Sequence, residues 1–95
     1  SEDKVNQEWE RLRFLGRPNL VKAAAEYSHF ENLLAVAGCQ ILYLPADDAV
    51  TMDSIYCRDA AIATNAGMIL CNMGKEARRP EPQALARIFE RDGIR

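Results

Sequence analysis

Residues 51–59 read TMDSIYCRD, and after an intervening stretch residues 74–82 read GKEARRPEP. We call these the acidic segment and the arginine segment. The acidic segment contains two carboxylates, Asp53 and Asp59, and the arginine segment contains an arginine pair that begins with Arg78 and precedes a predicted helix. Carboxylates bind cationic groups, whereas arginines at the start of a helix bind anions. Together the two segments predict a site for a ligand that carries both charges, such as an amino acid of the arginine type.

The spacing of the two carboxylates leaves alternatives open. On an uninterrupted strand, positions i and i+6 share a face but lie about 20 Å apart. Either the acidic segment bends near Asp53, or Asp53 and Asp59 bind opposite ends of a ligand. The purely structural alternative makes Asp53 a turn or capping residue and Asp59 a partner in a surface ion pair. The arginine pair has the same alternative, a solvated charge cluster.

Composition restricts the class of protein. The chain has 95 residues, of which 48% are hydrophobic, and a net charge of −2. This predicts a single domain at most, with a real core and without a broad basic surface for nucleic acid. The sequence contains no apolar run of about 18 residues and does not begin like a signal peptide, so we expect no membrane interaction. Its three scattered cysteines favour neither a disulfide framework nor a zinc site, and they make the cytoplasm the expected location.

Hydrophobic periodicity and turn residues predict the elements of the first part of the chain. Residues 4–15 have the pattern of a short helix. A second helix is predicted to be capped by Asn19, to carry an apolar stripe, and to end at Gly38. Residues 40–44, QILYL, have the composition of a strand that stops at Pro45.

The second part of the chain predicts two paired strands and a helix. Residues 55–64 form the first strand region, Asn65-Ala66-Gly67 a hairpin turn, and residues 68–72 the partner strand. A helix starts at Pro80 or Pro82 and ends at Gly93, and Ile94-Arg95 have the pattern of a further strand. Because so small a sheet leaves an edge unpaired, we expect these residues to be an excerpt of a longer chain that does not fold cooperatively by itself.

The motifs resemble those of a known family. The run LP…DSIYCRDAAI, the hairpin and ILCNMGKEARRPEP, together with the preceding AEYSHFENLLAVAGCQILYLP, are similar to the amino-terminal part of dimethylarginine dimethylaminohydrolases. These enzymes and related amidinotransferases belong to the pentein superfamily, which also contains the arginine deiminases. The resemblance covers residues 19–89, most of the chain.

The resemblance implies an α/β fold, a propeller of five strand-and-helix repeats around a polar site. This chain would supply about one to one and a half repeats: residues 1–17 as a lead-in segment and residues 18–95 as the first repeat and the start of the next. It implies a hydrolase that converts arginine or methylated arginine into citrulline and an amine. The partners implied are a small guanidino amino acid and the remainder of the chain's own domain, and homo-oligomerisation stays open. The family needs no cofactor or metal.

Four substrate-binding residues follow from the resemblance. Asp59 matches the carboxylate that binds the guanidinium, and Asp53 matches a pocket residue nearer the amino end of the substrate. Arg78 matches the residue that binds the α-carboxylate. Arg58 matches the arginine of an Arg-Asp pair common in the superfamily, but some dimethylarginine hydrolases carry an acidic residue there. This departure leaves the choice between dimethylarginine and other guanidino compounds open.

The catalytic residues implied by the family have no counterpart here. The nucleophilic cysteine and the proton-transferring histidine fall in later repeats, so we expect this chain alone to be inactive. Cys39, Cys57 and Cys71 are predicted to be buried packing residues, and His29 to be a surface or hydrogen-bonded histidine. The alternatives are an amidinotransferase or arginine deiminase of the same fold, a non-enzymatic pentein that binds a partner, and an independent α/β binding module.

Overall fold

The computed structural model describes residues 1–95 and divides them into two compact units, residues 1–43 and 44–95. The elements are three α-helices, short 3₁₀ turns and one antiparallel pair of strands. This is a small mixed helix-and-hairpin architecture. None of its helices combines the length and the apolar character needed to cross a bilayer.

The first unit begins with a short helix, α1 (Glu2–Glu8), whose first turn is capped by the side chain of Ser1. The predicted helix over residues 4–15 is therefore too long, because the chain leaves α1 through turns and Arg13 adopts a positive φ of 65°. The apolar residues that hold this segment are Val5 and Leu12, both 4% exposed.

The long helix of this unit, α2 (Leu20–Val36), confirms the predicted start and end. The side chain of Asn19 accepts a hydrogen bond from the backbone N–H of Lys22 at 2.9 Å, which satisfies one of the free donors of the first turn. Gly38 takes a positive φ of 83° after the last turn, a conformation that glycine adopts without strain. The apolar stripe of α2 is not a core face, since no residue of the helix is buried.

The predicted strand over residues 40–44 is wrong. These residues have no regular structure and no strand partner. The hydroxyl of Tyr43 instead donates a hydrogen bond to the Glu31 carboxylate of α2, and this bond raises the pKa of Tyr43. Local composition favoured a strand, but a strand forms only where a neighbouring chain supplies the ladder.

The second unit contains the strand pair β1 (Ala61–Thr64) and β2 (Gly67–Leu70), joined by Asn65 and Ala66. The predicted hairpin is confirmed, but its loop has two residues instead of three, because Gly67 already belongs to β2, and the first strand is much shorter than residues 55–64. The acidic segment forms two 3₁₀ turns instead, Met52–Ile55 and Cys57–Asp59.

The last helix of the second unit is α3 (Glu81–Arg91), which follows a 3₁₀ turn at Glu76–Arg78. Pro80 occupies the cap position, and Gly93 ends the helix with a φ of 67°, both as predicted. Helix α3 packs against β2, and the buried apolar residues of this unit are Ala60, Met73 and Ile88. The predicted strand at Ile94-Arg95 is reduced to one hydrogen bond, in which the Arg95 carbonyl accepts from the Met68 N–H at 2.6 Å.

Candidate functional site

The acidic segment and the arginine segment lie against each other in the second unit. Contacts between them occur along their length: the Thr51 hydroxyl donates to the Ala77 carbonyl at 3.4 Å, and the Lys75 ammonium pairs with Asp53. Arg78 makes the most extensive contacts, with Asp59 and with the Tyr56 carbonyl. The two stretches that sequence analysis singled out therefore form one polar cluster.

The guanidinium of Arg78 is shared between two carboxylates. Nη1 donates to Asp59 Oδ2 at 2.8 Å and Nη2 donates to Asp59 Oδ1 at 2.7 Å, which is a two-pronged contact. On another edge, Nε donates to the Glu81 carboxylate at 3.0 and 3.1 Å, and Nη2 donates to Glu81 Oε2 at 2.8 Å. Nη2 also reaches the Tyr56 carbonyl at 2.8 Å. We call Asp59, Arg78 and Glu81 the carboxylate–guanidinium cluster.

Local structure explains why these three side chains meet. Glu81 is the first residue of α3, where a carboxylate is stabilised by the positive end of the helix dipole, and it lies three positions after Arg78. Arg78 ends a 3₁₀ turn, and Asp59 ends another 3₁₀ turn just before β1. The hairpin and α3 thus bring together charges that are 19 positions apart in sequence.

The cluster carries an excess of negative charge, because one guanidinium faces two carboxylates. The hydrogen bonds from Arg78 lower the pKa of the Asp59 carboxyl, and Arg58 contributes to the same effect through its charge. The pKa of Arg78 is raised by hydrogen bonds to Glu81 and then to Asp59. Asp59 and Arg78 are therefore ionised at neutral pH, and since Glu81 adds a second carboxylate, the cluster attracts a further cation more readily than an anion.

The degree of exposure differs across the cluster. The side chains of Glu81 and Arg78 are 4% and 11% exposed, whereas that of Asp59 is 32% exposed. A carboxylate offers about four lone-pair directions, and Arg78 uses one on each oxygen of Asp59. Asp59 is consequently the most accessible member of the cluster, and it retains acceptor capacity.

The remaining predicted site residues have different environments. Asp53 is 4% exposed and its carboxylate accepts from the Lys75 ammonium, so its charge is already neutralised by the chain. Arg58 is exposed on the second 3₁₀ turn, beside Asp59 in sequence. Asp53, Asp59 and Arg78 thus lie along one line of contacts between the two segments, with Arg58 at its solvent side.

Two participants, Lys75 and Glu81, are absent from the site predicted by the sequence. The signal for Glu81 was present in the i, i+3 spacing from Arg78, which is typical of an ion pair across one turn. For Lys75 no local signal exists, since its partner Asp53 lies 22 positions away. Both contacts depend on the tertiary approach of the two segments.

The cysteine prediction is corrected by the structure. Cys39 and Cys57 are exposed and Cys71 is only partly buried, so none of the three is a core residue. Cys57 follows a bend at Tyr56, where the chain turns instead of running as a strand, and this directs the residue outward. His29 lies on an exposed position of α2, in agreement with the prediction.

Comparisons with known proteins identify no relative. No protein-family model, no curated protein and no solved structure matches this chain significantly.

Proposed function

We propose that residues 1–95 are the amino-terminal, substrate-binding part of a hydrolase that modifies guanidino groups, with arginine or a methylated arginine as substrate. The observation that carries the proposal is that Asp59 and Glu81 together hold a guanidinium, that of Arg78, with bonds of 2.7 to 3.1 Å. Supporting it, the residues concerned lie within the two segments that resemble guanidino-modifying enzymes of the pentein superfamily.

Asp59 is the group that receives the substrate in this proposal. It lies at the exposed side of the cluster, its pKa is lowered, and it keeps lone pairs that Arg78 does not use. A guanidinium ligand donates two parallel N–H groups to such a carboxylate, and this charge-assisted geometry is stronger than a neutral hydrogen bond.

The other binding residues act around Asp59. Arg78 supplies positive charge for an α-carboxylate through its remaining Nη1 hydrogen, since its other donors are engaged by Asp59, Glu81 and Tyr56. Arg58 adds a second cation at the solvent side. Asp53 is as buried as Glu81, so it contributes without direct contact: its ion pair with Lys75 holds the two segments together near the amino end of the substrate.

The chemical step requires residues beyond Arg95. A cysteine in a later repeat attacks the guanidinium carbon, an amine leaves, and water releases citrulline from the thiouronium intermediate. The contribution of this chain is to hold the cationic group of the substrate and to orient its carbon toward the nucleophile.

The test is a binding measurement on the protein that contains this chain, with arginine and with agmatine as probes. Asp59→Asn keeps the shape of the side chain and removes its charge, so we expect affinity for both probes to fall roughly tenfold or more. Asp48→Asn is the matched control, because Asp48 is an exposed aspartate outside the cluster. This variant should bind arginine and agmatine as tightly as the wild type does.

Two results would contradict the proposal. One is that neither arginine nor agmatine binds the wild-type protein at millimolar concentration. The other is wild-type affinity in Asp59→Asn, which would reduce Asp59 to a structural partner of Arg78.

A further inference from the structure

We infer that Glu81 is the positioning residue of this site: it fixes the guanidinium of Arg78 and, through Arg78, the direction of the Asp59 carboxylate. The inference rests on the proposed function for one point, that Asp59 binds the substrate. The positioning of Arg78 and Asp59 by Glu81 follows from contacts within the chain.

The three side chains of the cluster differ in how deeply they are buried. Exposure of the side chains rises from 4% at Glu81 to 11% at Arg78 and 32% at Asp59. The inner carboxylate is out of reach of a ligand, and the outer one is accessible. A group that is buried and fully hydrogen-bonded to one neighbour holds that neighbour in place instead of binding a ligand.

The guanidinium of Arg78 is bound along two of its edges. Glu81 takes the Nε–Nη2 edge, and Asp59 takes the Nη1–Nη2 edge. Because the guanidinium is planar and rigid, holding one edge fixes the direction of the other two. Without Glu81 the long side chain of Arg78 would sample several rotamers, and Asp59 would lose a fixed partner.

Glu81 differs from its two partners in that it lies on a helix. Glu81 begins α3, the longest regular element of the second unit, whereas Arg78 and Asp59 end short 3₁₀ turns. A site held from a helix is more accurately placed than one built on turns alone. Glu81 therefore connects the two turns to the helix.

The experiment follows the carboxyl of Asp59 by ¹³C NMR as pH is varied, in the wild type and in Glu81→Asp and Glu81→Gln. If Glu81 positions Arg78, both variants weaken the Arg78–Asp59 contact, and the pKa of Asp59 rises toward its unperturbed value. Glu81→Asp keeps the charge but shortens the side chain by one methylene. It therefore distinguishes the effect of side-chain length from the effect of charge. Glu76→Gln is the control, since Glu76 is an exposed acid at the start of the turn that carries Arg78, and it should leave the titration unchanged.

An electrostatic role without positioning gives the opposite pattern and would overturn the inference. Removal of a neighbouring negative charge in Glu81→Gln would then lower the pKa of Asp59, and Glu81→Asp would have no effect. If a Glu81 variant does not fold, hydrogen exchange of the Arg78 side chain in the wild type tests the inference instead. The Nε–H signal of Arg78 should persist at neutral pH and exchange at least roughly tenfold more slowly than that of the exposed Arg79. Equal exchange of the two would also overturn the inference.

These outcomes are independent of ligand binding. If the pKa of Asp59 in the Glu81 variants equals that of the wild type, the positioning role is refuted. The proposed guanidino-binding site is then still tested by Asp59→Asn. Failure of arginine and agmatine to bind refutes the proposed function and leaves the positioning role intact.

Discussion

Replacement of Arg78 by an uncharged residue should destabilise the second unit. Arg78→Met keeps length and apolar stem but leaves the Glu81 carboxylate, 4% exposed, without the cation that neutralises it. Loss of one partner of a buried ion pair costs about 3 kcal/mol, because the other charge stays desolvated. We assign no energy to the Asp59 side of the cluster, which is partly in water. For a chain of this size that loss is a large fraction of the total stability.

Native-state hydrogen exchange measures this effect without requiring a cooperative global transition. The amides of Tyr56 and Ala84 lie on either side of the cluster and donate to the Asp53 and Pro80 carbonyls at 3.0 and 3.2 Å. A loss of about 3 kcal/mol corresponds to roughly 150-fold faster exchange at these positions. The amide of Ala23, which donates to Asn19 in α2, serves as the internal reference in the first unit.

A double variant supplies the control for this reasoning. Arg78→Met combined with Glu81→Met removes both charges, so the penalty for a lone buried carboxylate disappears and most of the protection should return. A stabilising role of the Arg78–Glu81 ion pair is refuted if Arg78→Met accelerates exchange less than about threefold, or if the double variant exchanges as fast as the single one. Absence of measurable protection in the wild type would refute it equally, because the cluster would then not hold the two segments together.

Two further predictions concern Asp59 and Arg78. The pKa of Asp59 is lowered by Arg78, so the stabilisation from this pair should be complete above the unperturbed value of 3.8 and should be lost as pH falls through the lower value in the folded protein; acid titration followed by hydrogen exchange checks this, and a loss that began near neutral pH would contradict it. Arg78→Lys should weaken arginine binding more than agmatine binding, because an ammonium cannot reproduce the forked contacts of Arg78 and only arginine presents an α-carboxylate. An equal loss for both probes, measured by calorimetry, would show that Arg78 acts on the guanidinium end alone.

Sequence predicted the parts of the fold that local chemistry decides. The Asn19 cap and the glycines that end α2 and α3 each depend on a backbone conformation that few residue types favour. Pro80 at the start of α3 belongs to the same class. In each case the decisive residue and the element that it shapes are within a few positions of each other.

The strand predictions failed where the outcome depends on a distant partner. Residues 40–44 have strand composition but no neighbouring strand. Near Tyr56 the reason is specific: its carbonyl accepts from Arg78, and its own N–H donates to Asp53, so the backbone groups that a strand would use are already engaged in a turn. Strand propensity reflects only the local sequence, so it does not account for the Arg78 side chain, which competes with a neighbouring strand for the Tyr56 carbonyl.

The charge count of the cluster bears on how a ligand would enter it. Sequence supplied the charged residues but not their pairing, and the pairing shows that Asp59 is already in contact with one guanidinium. A second guanidinium on Asp59 alone would place two cations on one carboxylate, which is unfavourable in a partly desolvated site. Glu81 removes this difficulty, because it supplies the second negative charge to Arg78. With a guanidinium ligand bound, the cluster would hold two cations and two carboxylates and be neutral, so the ligand would share Asp59 with Arg78 instead of displacing it.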